Sequence, residues 1–185
     1  MDESIADVFT QKLLAELEKE VIGDQLDPKT TMGPLASEGS LKEITSQVEE
    51  SVKMGAKVLA GGKRHGHKGY FYEPTVLGNV LKGMPVYDQE VFGPVAPIII
   101  FKSIKQAIEI ANDSKLGLGA SVWTSDYDLA KKLIPMLEVG NVFINSAVRS
   151  DPKLPYGGIK KSGFGREFSE YGIKEFVNIK TVVIR

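Results

Sequence analysis

Hydrophobic positions along the chain follow two periods. Ile5, Val8, Phe9, Leu13 and Leu17 recur at helical spacing, with Lys12, Glu16, Glu18, Lys19 and Glu20 on the other face, which predicts an amphipathic helix over the first twenty residues. Gly23 and the Asp27-Pro28 step close that segment. Leu41, Ile44, Val48 and Val52 predict a second helix from Leu35 to Met54, with Gly55 as its stop. Short apolar runs then predict strands. They are Ala56 to Ala60, Tyr70 to Val80 interrupted by Pro74, and Val95 to Phe101, which is apolar on both faces like a strand buried in a parallel sheet. Further on come a helix from Ile104 to Asn112 capped by Ser103 and a strand from Ala120 to Thr124. A helix from Ser125 or Asp126 to about Glu138 follows, with Pro135 as a kink, and then a strand from Val142 to Ile144. The β-rich end, Phe176 to Ile184, follows a loop and reads as an edge strand or an arm.

Strands interleaved with helices predict an α/β fold, mostly a parallel sheet with flanking helices and right-handed crossovers. The 185 residues suit one domain of ordinary size. With 23 basic and 24 acidic residues, the formal charge of −1 points to no nucleic-acid partner and to no acidic tail. The run Val95 to Phe101 is too short to span a bilayer, so no membrane partner is expected. The acidic start, Met1-Asp2-Glu3-Ser4, does not read as a signal peptide, and the expected location is cytoplasmic.

The chain has no cysteine. Disulfides, thiolate metal sites and thiol catalysis are therefore outside the reach of these residues. The two histidines, His65 and His67, lie in a basic, glycine-broken loop with no further ligands nearby, so no metal site is expected. No G-x-G-x-x-G opens a βαβ unit, and the glycine-rich stretch Gly157 to Gly165 neither follows a clear strand nor opens a long helix.

Two runs remain. Gln89-Glu90-Val91-Phe92-Gly93-Pro94-Val95 is a rigid turn feeding a strand, or a turn that also presents Glu90 to a ligand. Pro155-Tyr156-Gly157-Gly158-Ile159-Lys160-Lys161-Ser162-Gly163-Phe164-Gly165-Arg166-Glu167 has glycines that permit tight turns, and Lys160, Lys161 and Arg166 read as surface charge.

Both runs resemble the C-terminal half of the NAD(P)-dependent aldehyde dehydrogenase superfamily. Met32-Gly33-Pro34-Leu35, Glu73-Pro74, Asn112 with Gly117-Leu118, Gly140 with Asn145, and Tyr171-Gly172 follow the same order. The resemblance covers about Glu3 to Ile184, and Asn145 to Lys180 is most similar to the succinate-semialdehyde dehydrogenase branch. It implies that Glu90 takes the hydroxyls of the nicotinamide ribose and that Phe92 packs beside the nicotinamide. Gln89 stands where the family often has another Glu, a change expected to matter little. Tyr156 is implied to face the aldehyde, with Val148 and Ser150 at the mouth of the substrate tunnel. The family's cysteine nucleophile, general-base Glu, oxyanion-hole Asn and phosphate-binding segment have no counterpart here, so no catalytic residue is assigned.

The resemblance thus implies residues 1–175 as a partial catalytic domain and 176–185 as an oligomerisation strand, without the cofactor-binding domain. The full family oxidises an aldehyde to an acid with NAD or NADP. These residues alone are expected to be inactive and to bind neither coenzyme tightly, or to be one half of a split enzyme whose separate chain brings the cofactor domain and the Cys. The alternative expectation is a non-catalytic oligomerising remnant or assembly module. In either case the C-terminal strand is expected to drive self-association.

Overall fold

Ser37 opens the longest helix. Its Oγ accepts from the Ser40 amide at 3.1 Å, which satisfies one of the donors that a helix N-terminus leaves unpaired. This second helix, α2, runs from Glu38 to Lys53. Gly55 follows at φ 110°, a left-handed stop that a side chain would resist. The computed structural model describes residues 1–185, which divide into two compact units, Met1–Ser103 and Ile104–Arg185.

In the first unit α1 (Ala6–Leu17) and α2 precede β1 (Lys57–Ala60), β2 (Thr75–Gly78), the single-turn α3 (Pro85–Asp88) and β3 (Val95–Pro97). The sheet order is β1-β2-β3, with β1 antiparallel and β3 parallel to β2. Leu41, Ile44 and Val48 of α2 bury against Tyr72, Leu77, Val80, Met84 and Val86, so the apolar stripe of α2 meets the core as expected. The stripe of α1 does not: Ile5, Val8 and Phe9 are exposed and Ala6 is the buried residue. Periodicity states which face is apolar; it does not state what covers that face.

In the second unit α4 (Ile104–Asn112), β4 (Leu116–Gly117), β5 (Gly119–Val122) and α5 (Tyr127–Leu133) precede β6 (Asn141–Ile144), β7 (Ile159–Lys160) and α6 (Ser169–Lys174). β5 and β6 pair in parallel, from Gly119 opposite Asn141 to Val122 opposite Ile144. β4 and β7 pair antiparallel. Asp126 caps α5 by accepting from the Asp128 and Leu129 amides at 3.0 and 2.9 Å. At Pro135 the helix gives way to a 3-10 turn, Ile134–Met136, as a residue without an N–H requires.

The α/β character stands, but the expected mostly parallel sheet does not form. Two pairs are parallel, two are antiparallel, and they lie in three small sheets. Of the run Val95 to Phe101, only Val95–Pro97 form a strand, at a sheet edge, and Phe101 makes a single bridge to Asp2. Pro94 and Pro97 have no amide to donate, and Ala96 and Ile100 are exposed. Phe176 to Ile184 belongs to no strand, and Phe176, Ile179 and Ile184 are almost fully exposed. High β-propensity makes a strand only where a second backbone offers its N–H and C=O groups. No helix is long and apolar enough to cross a membrane.

Candidate functional site

The loop holding Glu90 and Phe92 is set by what precedes and follows it. Pro85 starts α3 with φ already suited to a helix, and the Gln89 amide donates to the Pro85 carbonyl at 2.9 Å to close the turn. On the far side Gly93 lies so close to α2 that a Cβ there would run into Ile44 Cδ1 and come within 3.3 Å of Leu35 Cδ2. Ile44 is in the core, so a Cβ at position 93 would force that packed side chain to shift. Between these points Glu90 is exposed, and Phe92 is 80% exposed, unusual for so large an apolar ring.

Underneath, α2 contributes two buried polar side chains. Gln47 Nε2 donates to Gln89 Oε1 at 3.2 Å and to the Glu90 carbonyl at 3.1 Å. Ser51 Oγ donates to the Gln47 carbonyl at 2.7 Å and accepts from the Val86 amide at 3.2 Å. Gln89 therefore has a specific partner. The pattern that flags these two residues is weak: they are polar positions beside the apolar 44 and 48, which a helical wheel assigns to the rim of the buried face.

Tyr72 is the buried titratable group of this unit. Its hydroxyl has no hydrogen-bond partner. Burial pushes its pKa up to about 12, with the Glu49 and Glu73 carboxylates adding to the effect. It keeps its proton at ordinary pH and is no candidate base. A cavity of about 410 Å³ runs along α2, lined by residues such as Lys42, Thr45, Glu49 and Arg64. None of the five candidate residues lines it.

In the second unit Asn145 ends β6 at φ 51°. Its Oδ1 accepts from the Thr124 amide at 2.8 Å and its Nδ2 donates to the Thr124 carbonyl at 2.9 Å. This two-way clamp fixes the start of the loop that holds Val148 and Ser150. Val148 packs over Gly119, where a Cβ would lie 2.9 Å from Val148 Cγ1, while Ser150 is exposed. Tyr156 is half-buried and pairs its backbone with Glu167, N–H to O at 3.0 and 2.7 Å.

Two of the three basic residues of this segment, Lys160 and Arg166, are more than surface charge. Arg166 Nη1 donates to the carbonyls of Gly158 and Gly165 at 3.0 and 2.8 Å. Lys160 Nζ donates to those of Asn112 and Ser114. The structure thus places Glu90 and Phe92 together in one loop of the first unit, and Val148, Ser150 and Tyr156 in loops of the second.

Residues 1–182 match the aldehyde dehydrogenase family. The chain is 46% identical over 180 residues to a succinate-semialdehyde dehydrogenase [NADP(+)] 1 of Mycobacterium tuberculosis, covering 97% of this chain and 39% of that protein. It is 43% identical over 182 residues to the succinate semialdehyde dehydrogenase [NAD(P)+] Sad of Escherichia coli, covering 98% and 39%. Among solved structures, the succinate-semialdehyde dehydrogenase of Burkholderia pseudomallei superposes with a TM-score of 0.94 at 38% identity, over 97% of this chain and 37% of that one. The chain therefore spans about two-fifths of the length of the relatives it matches.

Proposed function

Because the chain belongs to the aldehyde dehydrogenase family, we propose that its residues form the nicotinamide-ribose contact and part of the substrate wall of an enzyme oxidising a short semialdehyde, succinate semialdehyde first, to its acid. The observation that carries this reading is the Glu90–Phe92 loop, pinned at both ends while its carboxylate and ring stay exposed. The residues fit the coenzyme. A carboxylate accepts from two neighbouring hydroxyls at once, as the ribose of NAD or NADP offers. An exposed phenyl ring gives a flat apolar surface to limit where a nicotinamide sits.

When bound, the coenzyme would supply the hydride acceptor of the reaction. Glu90 holds the ribose, Phe92 restricts the ring, and Tyr156, Val148 and Ser150 shape the approach of the aldehyde. No cysteine is present among the 185 residues, so the thiol that attacks the aldehyde comes from outside them. These residues by themselves are inactive and bind NAD weakly, because one ribose contact and one aromatic do not replace a phosphate site. A separate chain supplying the thiol and the cofactor domain would make this one half of a split enzyme.

A second reading is favoured by the bare apolar segment Phe176 to Ile184, which suits pairing with another chain. On that reading the chain acts in assembly without catalysis. The coenzyme reading is tested in a hybrid in which these residues replace the matching segment of the M. tuberculosis relative. Glu90→Gln there raises KM for the coenzyme roughly tenfold, since a weakened pair of hydrogen bonds to a charged acceptor is worth about that factor. An unchanged KM would contradict it.

A further inference from the structure

We infer that Gln47 is a positioning residue for the Glu90–Phe92 loop, an inference that rests on the reading of Glu90 as the ribose ligand. Gln47 is 4% exposed, yet it reaches across to a surface loop. Both hydrogens of its amide are used, one on Gln89 Oε1 and one on the Glu90 carbonyl. Since a backbone carbonyl can only accept, the amide is oriented with Nε2 toward the loop. Its Oε1 is left buried without a partner.

That orphaned oxygen discriminates between two roles. A residue selected to fill this part of the core would be apolar and of similar volume, since a buried unsatisfied acceptor is unfavourable. Glutamine at this place serves its donors. The donors hold a main-chain carbonyl, and fixing the Glu90 carbonyl fixes the Cα from which the carboxylate departs.

Two further contacts make this a template of three points. Ser51, four residues after Gln47 and fully buried, receives the Val86 amide. Ile44, three residues before Gln47, lies against Gly93. Positions 44, 47 and 51 share one face of α2 and meet positions 93, 89–90 and 86 in reverse order. Glu90 and Phe92 thus sit on a rigid helix by proxy, and ligand groups need support of that kind.

The test uses the 185-residue chain, isotopically labelled, with amide exchange read by NMR and millimolar nicotinamide mononucleotide as the probe. In Gln47→Met the Gln89 amide exchanges about tenfold faster relative to the core amides of Val76 and Leu77. The probe-induced shifts at Glu90 and Phe92 are lost at the same time. Gln89→Ala, whose side chain is exposed and outside the core, gives a smaller rise of about threefold and guards against a misfolded Gln47 variant. Unchanged amide exchange at position 89 in both variants would overturn the inference, as would a rise shared equally by Val76 and Leu77, which would mark a purely structural role. Probe shifts retained in Gln47→Met would overturn the inference while leaving the ribose reading intact. Absence of shifts at Glu90 and Phe92 in the unsubstituted chain would overturn both.

Discussion

Lys160 Nζ lies 2.7 Å from Glu138 Oε2, and the same ammonium donates to the carbonyls of Asn112 at 2.9 Å and Ser114 at 3.1 Å. Three acceptors for three N–H groups join the C-terminal end of α4, the approach to β6 and the glycine-rich segment. Lys160→Met is expected to lower stability by roughly 1 kcal/mol, because it removes an ion pair and two hydrogen bonds whose acceptors stay open to water. A urea titration followed by the fluorescence of Trp123, the chain's single tryptophan and in the same unit, measures it. Arg at 160 restores little, since a planar fork does not match three convergent acceptors.

Gly140 sets a second, steric constraint. A Cβ there would collide with the Gly157 carbonyl oxygen and lie 3.2 Å from Gly158 Cα. Both obstacles are backbone. Gly140→Ala is expected to destabilise the second unit by about 2–4 kcal/mol. The same titration checks it, and a loss within the error of the measurement would contradict the close approach.

Tyr72 predicts an alkaline limb. Burial raises its pKa from 10.0 to about 12, so the folded chain binds that proton more tightly than the unfolded chain. Its contribution is complete below pH 10 and is lost as pH rises to about 12, a fall of roughly 2–3 kcal/mol. Tyr72→Phe removes that part of the pH dependence. At neutral pH it leaves stability unchanged or raises it by about 1 kcal/mol, because it deletes a hydroxyl with no partner. Unfolding curves of both chains at a series of alkaline pH values make the comparison.

The C-terminal segment predicts self-association. Val182 and Ile184 are 71% and 92% exposed. Light scattering at micromolar concentration is expected to give a mass above the monomer, and Val182→Lys with Ile184→Lys to reduce it, since charge blocks edge-to-edge pairing. A clean monomer for the unsubstituted chain would contradict the expectation.

What was legible in the sequence follows from which interactions are local. The end of α2 is readable because Gly55 acts within one turn of it, and Asp126 marks the start of α5 in the same way, whereas α2 begins at Glu38, three residues after the expected Leu35. The one-turn α3, the two-residue β4 and β7, and α6 have too little periodicity to register. Gly93-Pro94 mark a turn after Glu90 and Phe92, but the roles of these two residues are legible only through the resemblance to the family. Gln47 did not stand out, since only its register against a loop 42 residues away shows its use. Lys160 and Arg166 read as surface charge because nothing local reveals that distant or folded-back carbonyls will capture them. At Val95 to Phe101 the expected parallel pairing forms, but apolar β-branched composition predicts a longer and more buried strand than the prolines allow.

On the function proposed above, these residues complete an aldehyde-oxidising site whose thiol lies elsewhere. The most direct test compares the purified 185-residue chain with the hybrid built on the M. tuberculosis relative, following succinate-semialdehyde-dependent reduction of NADP and NAD. The account predicts no reduction by the chain alone and turnover by the hybrid. A folded hybrid without activity, or turnover by the cysteine-free chain itself, would contradict it.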